Sequence, residues 1–224
     1  MAAKINSTST NQAMSHVYPI DGPAISSAPA VAKISFVTSA TSLVLLVALH
    51  VLSPEFDPSK RMVSEYALGS FGWVLSLMFL AWALSCVTLF VAIKSQVRTT
   101  GGRIGLGLLL LSALGMAMAA FFDVNHNLHG VAALIGMPNL PIAAVLISVS
   151  LGRNPTWSAA RRLLLWTALL TWVSLILMNV AIFTGFSQTG EANPGAWFGW
   201  ANRFLILAYN IWLIAVARRT LKMT

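Results

Sequence analysis

Six stretches of this chain are nearly free of charge, each about as long as a bilayer is thick, and only short connections separate them. A spanning helix needs about 20 apolar residues, and this pattern meets that need six times. The first stretch runs from Ser35 to Leu52, between Lys33 and Glu55. The second lies between Glu65 and Lys94, and the third between Arg103 and Asp123. The fourth runs from Gly130 towards Gly152, the fifth from Leu163 to Phe183, and the sixth from Trp197 to Ala217 with Arg203 inside it. Only 9% of the 224 residues are charged, against about 25% in soluble domains, so a water-soluble globular fold is excluded. The expected fold is an all-α integral membrane bundle of six transmembrane helices, with a six-span domain over residues 33–224. Residues 1–32 are rich in Ser, Thr, Ala, Asn and Pro, without apolar periodicity, and read as a flexible N-terminal tail.

The net charge of +8 follows the membrane, and nucleic acid is not an expected partner. Lys4, Lys33, Lys94, Arg98, Arg103, Arg153, Arg161, Arg162, Arg218, Arg219 and Lys222 fall on one side of the six spans, and only Lys60, Arg61 and Arg203 on the other. Basic residues stay in the cytoplasm, which puts both termini inside. The acids divide oppositely, with Glu55, Asp57, Glu65, Asp123 and Glu191 outside and Asp21 inside. Trp73, Trp197 and Trp200 fall at outer helix ends, as an interfacial aromatic belt requires. The lone Cys86 sits within an apolar run and is assigned a packing role only.

The scarce polar residues concentrate in two outer connections. One reads His50-Val-Leu-Ser-Pro-Glu-Phe-Asp-Pro-Ser-Lys-Arg-Met-Val-Ser-Glu-Tyr-Ala-Leu-Gly, the other Phe121-Phe-Asp-Val-Asn-His-Asn-Leu-His-Gly. In the first, Ser53-Pro54-Glu55 has the pattern of a short helix start. Ser64 is placed to cap the second span, and Ser64 to Gly72 is read as an outer cap loosened at Gly69 and Gly72. In the second, Asp123 ends one helix and His129 begins the next, and both placements oppose the helix macrodipole. A nearby cation would relieve Asp123, and a neutral imidazole would relieve His129. Local rules broken together mark a candidate site.

The run Leu52-Ser-Pro-Glu-Phe-Asp-Pro-Ser, followed by Ser64-Glu-Tyr-Ala-Leu-Gly and later by His129-Gly130, resembles the domain-of-unknown-function family numbered nine-nine-eight. The resemblance covers the chain from about Lys33 to the C-terminus. It implies a polytopic membrane protein, mostly prokaryotic and therefore of the cytoplasmic (inner) membrane, and it carries no reaction with it.

Arginine inside a span is costly and faces the bundle interior with a partner. Arg203 is therefore expected to pair with Asp123 or Glu65. The two prolines of Gly136-Met-Pro-Asn-Leu-Pro141 should kink or unwind span four, and Asn179 and Asn210 should hydrogen-bond between helices. The leading functional expectation is an outward-facing acidic/histidine pocket for a polar small molecule or lipid headgroup, lined by Glu55, Asp57, Glu65, Asp123, His126, His129 and Arg203. Asp123, His129 and Glu65 should converge there, and they are the candidate catalytic set should the pocket be that of a metal- or acid/base-assisted lipid-modifying enzyme. Transport of a small solute past the broken fourth span is the other reading. A divalent metal such as zinc, held by His50, Asp123, His126 and His129, is a minor one, since the spacing matches no zinc helix signature; haem between His50 and His129 ranks below it.

The charge division yields a direct test of orientation. In a Cys86→Ala background, a cysteine at Ser59 should react with an impermeant maleimide from the outside of intact cells. Labelling only after the membrane is breached would invert the assignment.

Overall fold

The computed structural model describes residues 28–185, 193 and 195–223; Glu191 and residues 1–27 lie outside the described residues. Among those described there are helices and no strand. The helices are α1 (Ala28–Leu52), α2 (Gly72–Ile93), α3 (Thr100–Phe121), α4 (Leu128–Gly136), α5 (Asn139–Gly152), α6 (Arg161–Gly185) and α7 (Phe198–Leu221). Six are long and apolar enough to cross a membrane, once α4 and α5 are counted as one interrupted span, Leu128–Gly152. The protein is a multi-pass integral membrane bundle. Its first helix starts at Ala28, inside the segment read from sequence as tail.

The spans form a closed ring. α1 packs on α2, α2 on α3, α3 on α4 and α5, α5 on α6, α6 on α7, and α7 returns to α1. Large apolar side chains such as Val44, Val47, Leu134, Trp166, Ile176 and Phe183 are exposed on the outside of the ring. That arrangement suits hydrocarbon as solvent, where apolar burial no longer drives helix association. Small residues and polar pairs join the helices instead. The Ser35 and Ser85 hydroxyls each donate to the other's carbonyl across α1 and α2, and the Trp212 indole donates to Ser148 Oγ across α7 and α5 at 3.0 Å. Ser39 Oγ on α1 donates to Asn210 Oδ1 on α7 at 2.8 Å, so Asn210 joins two helices as expected. Asn179 does not: its amide bonds back to Leu175 O of its own helix, on an exposed face.

The fourth span breaks where its prolines fall, and side chains meet carbonyls around the break. Pro141 has no N–H to give Met137 O, which accepts instead from Tyr209 Oη at 2.8 Å. Gly136 O accepts from Ser112 Oγ at 2.8 Å, and Ile135 O from Asn139 Nδ2 at 2.7 Å. α3 approaches this break so closely that a Cβ on Gly115 would lie 2.3 Å from Gly136 N. Beyond the break the halves diverge. α5 packs on both α3 and α6, whereas α4 stays on α3 and leaves α6 and α7.

The connection from α1 to α2 folds back over the end of α7, where Gly199 N donates to Ser59 O at 3.0 Å and Val63 N to Asn202 Oδ1 at 2.8 Å. It contains no helix at Ser53; that carbonyl closes a turn with Phe56 N. The 3-10 turn Val63–Leu68 is capped at Met62 by Glu65, not by Ser64, and α2 starts at Gly72. This end of the bundle, with the α3–α4 connection, is hereafter the polar end, and the opposite one the basic end.

Two glycines of α3 provide the test. Gly115→Ala must push α3 from α4 and should lower stability by about 2 kcal/mol. A Cβ on Gly107 meets nothing within 4 Å, so Gly107→Ala should hold or raise stability by up to about 1 kcal/mol. Thermal unfolding in detergent compares the two; equal effects would contradict the close approach.

Candidate functional site

Arg203 is only 6% exposed and lies near the polar end of α7. A guanidinium offers five N–H donors in a planar fork, and this one is met from three directions. Nε donates to His50 Nε2 of α1 at 2.6 Å, Nη1 to the carbonyls of Arg61 and Gly199 at 2.8 and 2.9 Å, and Nη2 to Tyr66 Oη at 3.0 Å. The ring of Tyr66 lies 5.6 Å from the guanidinium carbon and that of Trp200 6.0 Å, within cation–π range. His50 Nδ1 faces Leu46 O at 2.7 Å, so this nitrogen carries the proton and Nε2 keeps the lone pair that Arg203 needs.

The expected ion pair of Arg203 with Asp123 or Glu65 does not form. Glu65 is committed locally, with Oε2 on Arg61 Nη1 at 2.7 Å and Oε1 on Met62 N at 2.8 Å. Neutral acceptors surround the cation instead, and this avoids burying a second charge.

In the α3–α4 connection the polar side chains find backbone partners close by. Asp123 is exposed, and its Oδ1 accepts from Asn125 N at 2.9 Å. His126 stacks on Phe122 with centroids 4.5 Å apart, and its Nδ1 accepts from Leu128 N at 3.1 Å. His129 Nδ1 lies 2.9 Å from Phe122 O and must donate to that carbonyl, which orients the ring with Nε2 directed away from it. The Phe122 carbonyl, and not Asp123, orients His129.

A cavity of about 250 Å³ lies between the end of α4 and helices α2, α3, α6 and α7. It exists because α4 departs from α6 after the break. Phe79, Trp82, Met116, Met137, Met178 and Leu205 give it apolar walls. His129, Asn202 and Ser64 add polar groups to its lining, all from the polar end. No Asp, Glu, Lys or Arg lines it. The Trp82 indole is buried in its wall, and Nε1 has no hydrogen-bond partner among the described residues.

Of the residues expected to line one pocket, only His129 lines this cavity. Asp123 borders a separate depression with Gly69, Ser70 and Trp73, and Glu65 caps the 3-10 turn. His126 is exposed, as are Glu55 and Asp57. The Ser59 hydroxyl and then its amide, both donating to Asp57 Oδ1, hold the Asp57 carboxyl below its usual range. The convergence of Asp123, His129 and Glu65 is therefore not found, because each acid is satisfied locally, Asp123 by Asn125 N and Glu65 by Arg61 and Met62 N. Nor do His50, Asp123, His126 and His129 gather: among the described residues no group of three His, Cys, Asp or Glu could hold a metal.

Sequence reasoning passed over Asn202, Trp82 and Tyr209. Asn202 had a signal, being polar and next to the buried arginine in an otherwise apolar span. Trp82 and Tyr209 had none, since both read as ordinary span residues until the cavity and the break place them.

The model of a family described as protein of unknown function (DUF998) matches residues 36–219. Neither the curated proteins nor the solved structures contain a match.

Replacing Arg203 with Ala leaves His50, Tyr66 and two carbonyls without their donor. The protein should lose about 3 kcal/mol or more, read by chemical or thermal unfolding in detergent. Arg203→Lys should recover only part of this, because an ammonium cannot reproduce the fork. Full rescue by Lys would show that charge alone matters there.

Proposed function

This chain belongs to the DUF998 family of proteins of unknown function, and we propose that it binds a neutral, single-chain amphiphile taken laterally from the bilayer into the cavity beside α4. One observation carries the reading: apolar walls, three polar residues (His129, Asn202 and Ser64) and no Asp, Glu, Lys or Arg. An apolar chain fits such walls. A hydroxyl, ester or amide head fits His129 Nε2, the Asn202 amide and Ser64 Oγ, whereas a carboxylate or phosphate would be desolvated there without a counter-charge. The volume of about 250 Å³ lies just below the usual range of small-molecule sites, about 300–1,000 Å³, and favours one chain over a whole two-chain lipid.

The separation of α4 from α6 supports a route from the lipid, since the cavity is flanked by α4 on one side and by Met178 and Ile182 of α6 on the other. Beneath it Leu140, Ala143, Ala144 and Ile147 of α5 are fully buried, as is Trp212 of α7. This packed basic half favours a binder over a solute transporter. A lipid-modifying enzyme stays the second reading, on the observation that His129 lines the cavity while its Nδ1 is held by Phe122 O.

Delipidated protein should bind 1-monolauroylglycerol in native mass spectrometry or by a thermal shift, and dodecanoate more weakly. Ala133→Phe, which fills the cavity, should weaken binding by roughly tenfold or more, the equivalent of about 1.4 kcal/mol. His129→Ala should weaken it while leaving the unfolding temperature nearly unchanged. Unaltered binding by the Ala133→Phe protein would remove the site.

A further inference from the structure

The basic end carries a groove of about 520 Å³ between α6 and α7. Leu163, Ile211, Ile214 and Ala215 form its apolar floor, and Arg218, Arg219 and Lys222 stand at its end. Arg219 is held in place there, donating from Nη2 to Thr156 O at 2.8 Å in the connection before α6. Its Nε is enclosed, without an acceptor among the described residues. Arg218 and Lys222 are exposed.

The described acids give this end no counter-charge. Glu55, Asp57, Glu65 and Asp123 all belong to the polar end. Three cations thus border an apolar groove on the membrane-facing side of a helix pair, with no described carboxylate to balance them. Topology alone explains basic residues in connections, but not a trio gathered on one groove with one member anchored by Thr156 O.

We infer that this groove is a specific site for an anionic phospholipid. Its phosphate sits among Arg218, Arg219 and Lys222, and one acyl chain lies along Leu163, Ile211 and Ile214. The ligand class follows from the two parts together. Cations near the bilayer surface attract anionic headgroups, guanidinium groups match phosphate oxygens, and the apolar floor selects for an attached chain over a soluble anion. The site lies at the opposite end of the bundle from the cavity beside α4 and stands independently of it.

Native mass spectrometry of delipidated full-length protein decides the matter, with dioleoylphosphatidylglycerol, dioleoylphosphatidylcholine and inorganic phosphate as probes. Phosphatidylglycerol should give one tight adduct, phosphatidylcholine a much weaker one, and phosphate none. The double variant Arg218→Gln/Lys222→Gln, which leaves the Arg219–Thr156 contact intact, should weaken the phosphatidylglycerol adduct by roughly tenfold or more. Ile214→Trp, which blocks the floor and keeps every charge, should weaken it as well. Arg98→Gln, an exposed cation outside the groove, should leave it unchanged. Equal binding of the two lipids, equal loss on Arg98→Gln, or binding of phosphate alone would each overturn the proposal.

Discussion

The polar end depends on one buried guanidinium. Arg203 ties α7 to α1 through His50 and to the α1–α2 connection through Arg61 O and Tyr66. Without it the nineteen-residue connection from Ser53 to Phe71 would keep its local turns, two hydrogen bonds to α7 and the packing of Val63 and Tyr66 into the core. The fork is suited to this because it bonds in several directions at once while remaining charged. Surrounding it with an imidazole lone pair, a phenol and carbonyls spreads the charge over dipoles, so no carboxylate has to be desolvated at the same depth.

The second constraint is the interrupted fourth span. A continuous helix would satisfy its own backbone and would have no reason to leave its neighbours. Two prolines remove that option: Tyr209 meets Met137 O, which Pro141 leaves without a donor, and Ser112 and Asn139 bond the adjacent carbonyls of Gly136 and Ile135. Because Gly115 lets α3 sit directly on the break, α4 is steered along α3 and away from α6. The cavity is the space this leaves. Its polar residues come from the α1–α2 connection, the first turn of α4 and α7, so the connection held by Arg203 and the break in span four meet at one site.

Polar groups carry different duties at the two ends. At the polar end every described acid is satisfied within its own turn or by solvent, as Asp57 is by Ser59 and Asp123 by Asn125. At the basic end the cations outnumber their described partners, and Arg219 keeps an unmet donor. One end is therefore internally balanced, and the other is electrostatically open to the membrane that surrounds it.

What the sequence alone determined is everything that depends on composition along one helix. Span count, all-α class, the helix break at Pro138 and Pro141 and the burial of Arg203 follow from transfer costs and from missing N–H groups, which are properties of a residue and its near neighbours. The interhelical role of Asn210 was legible for the same reason. The partners were not. Whether Arg203 meets Glu65 or His50 turns on which of several acceptors the folded connection brings within 3 Å, and Glu65 was already taken by Arg61 and Met62 N four and three residues away. His129 was singled out for opposing a helix dipole, yet its role was decided by Phe122 O and by cavity walls drawn from α2, α3, α6 and α7. Trp82 entered the site only because α4 turns away from α6. Such choices belong to the tertiary structure, because in a bilayer apolar side chains gain little from one helix over another, and close packing with local hydrogen-bond competition selects the neighbours.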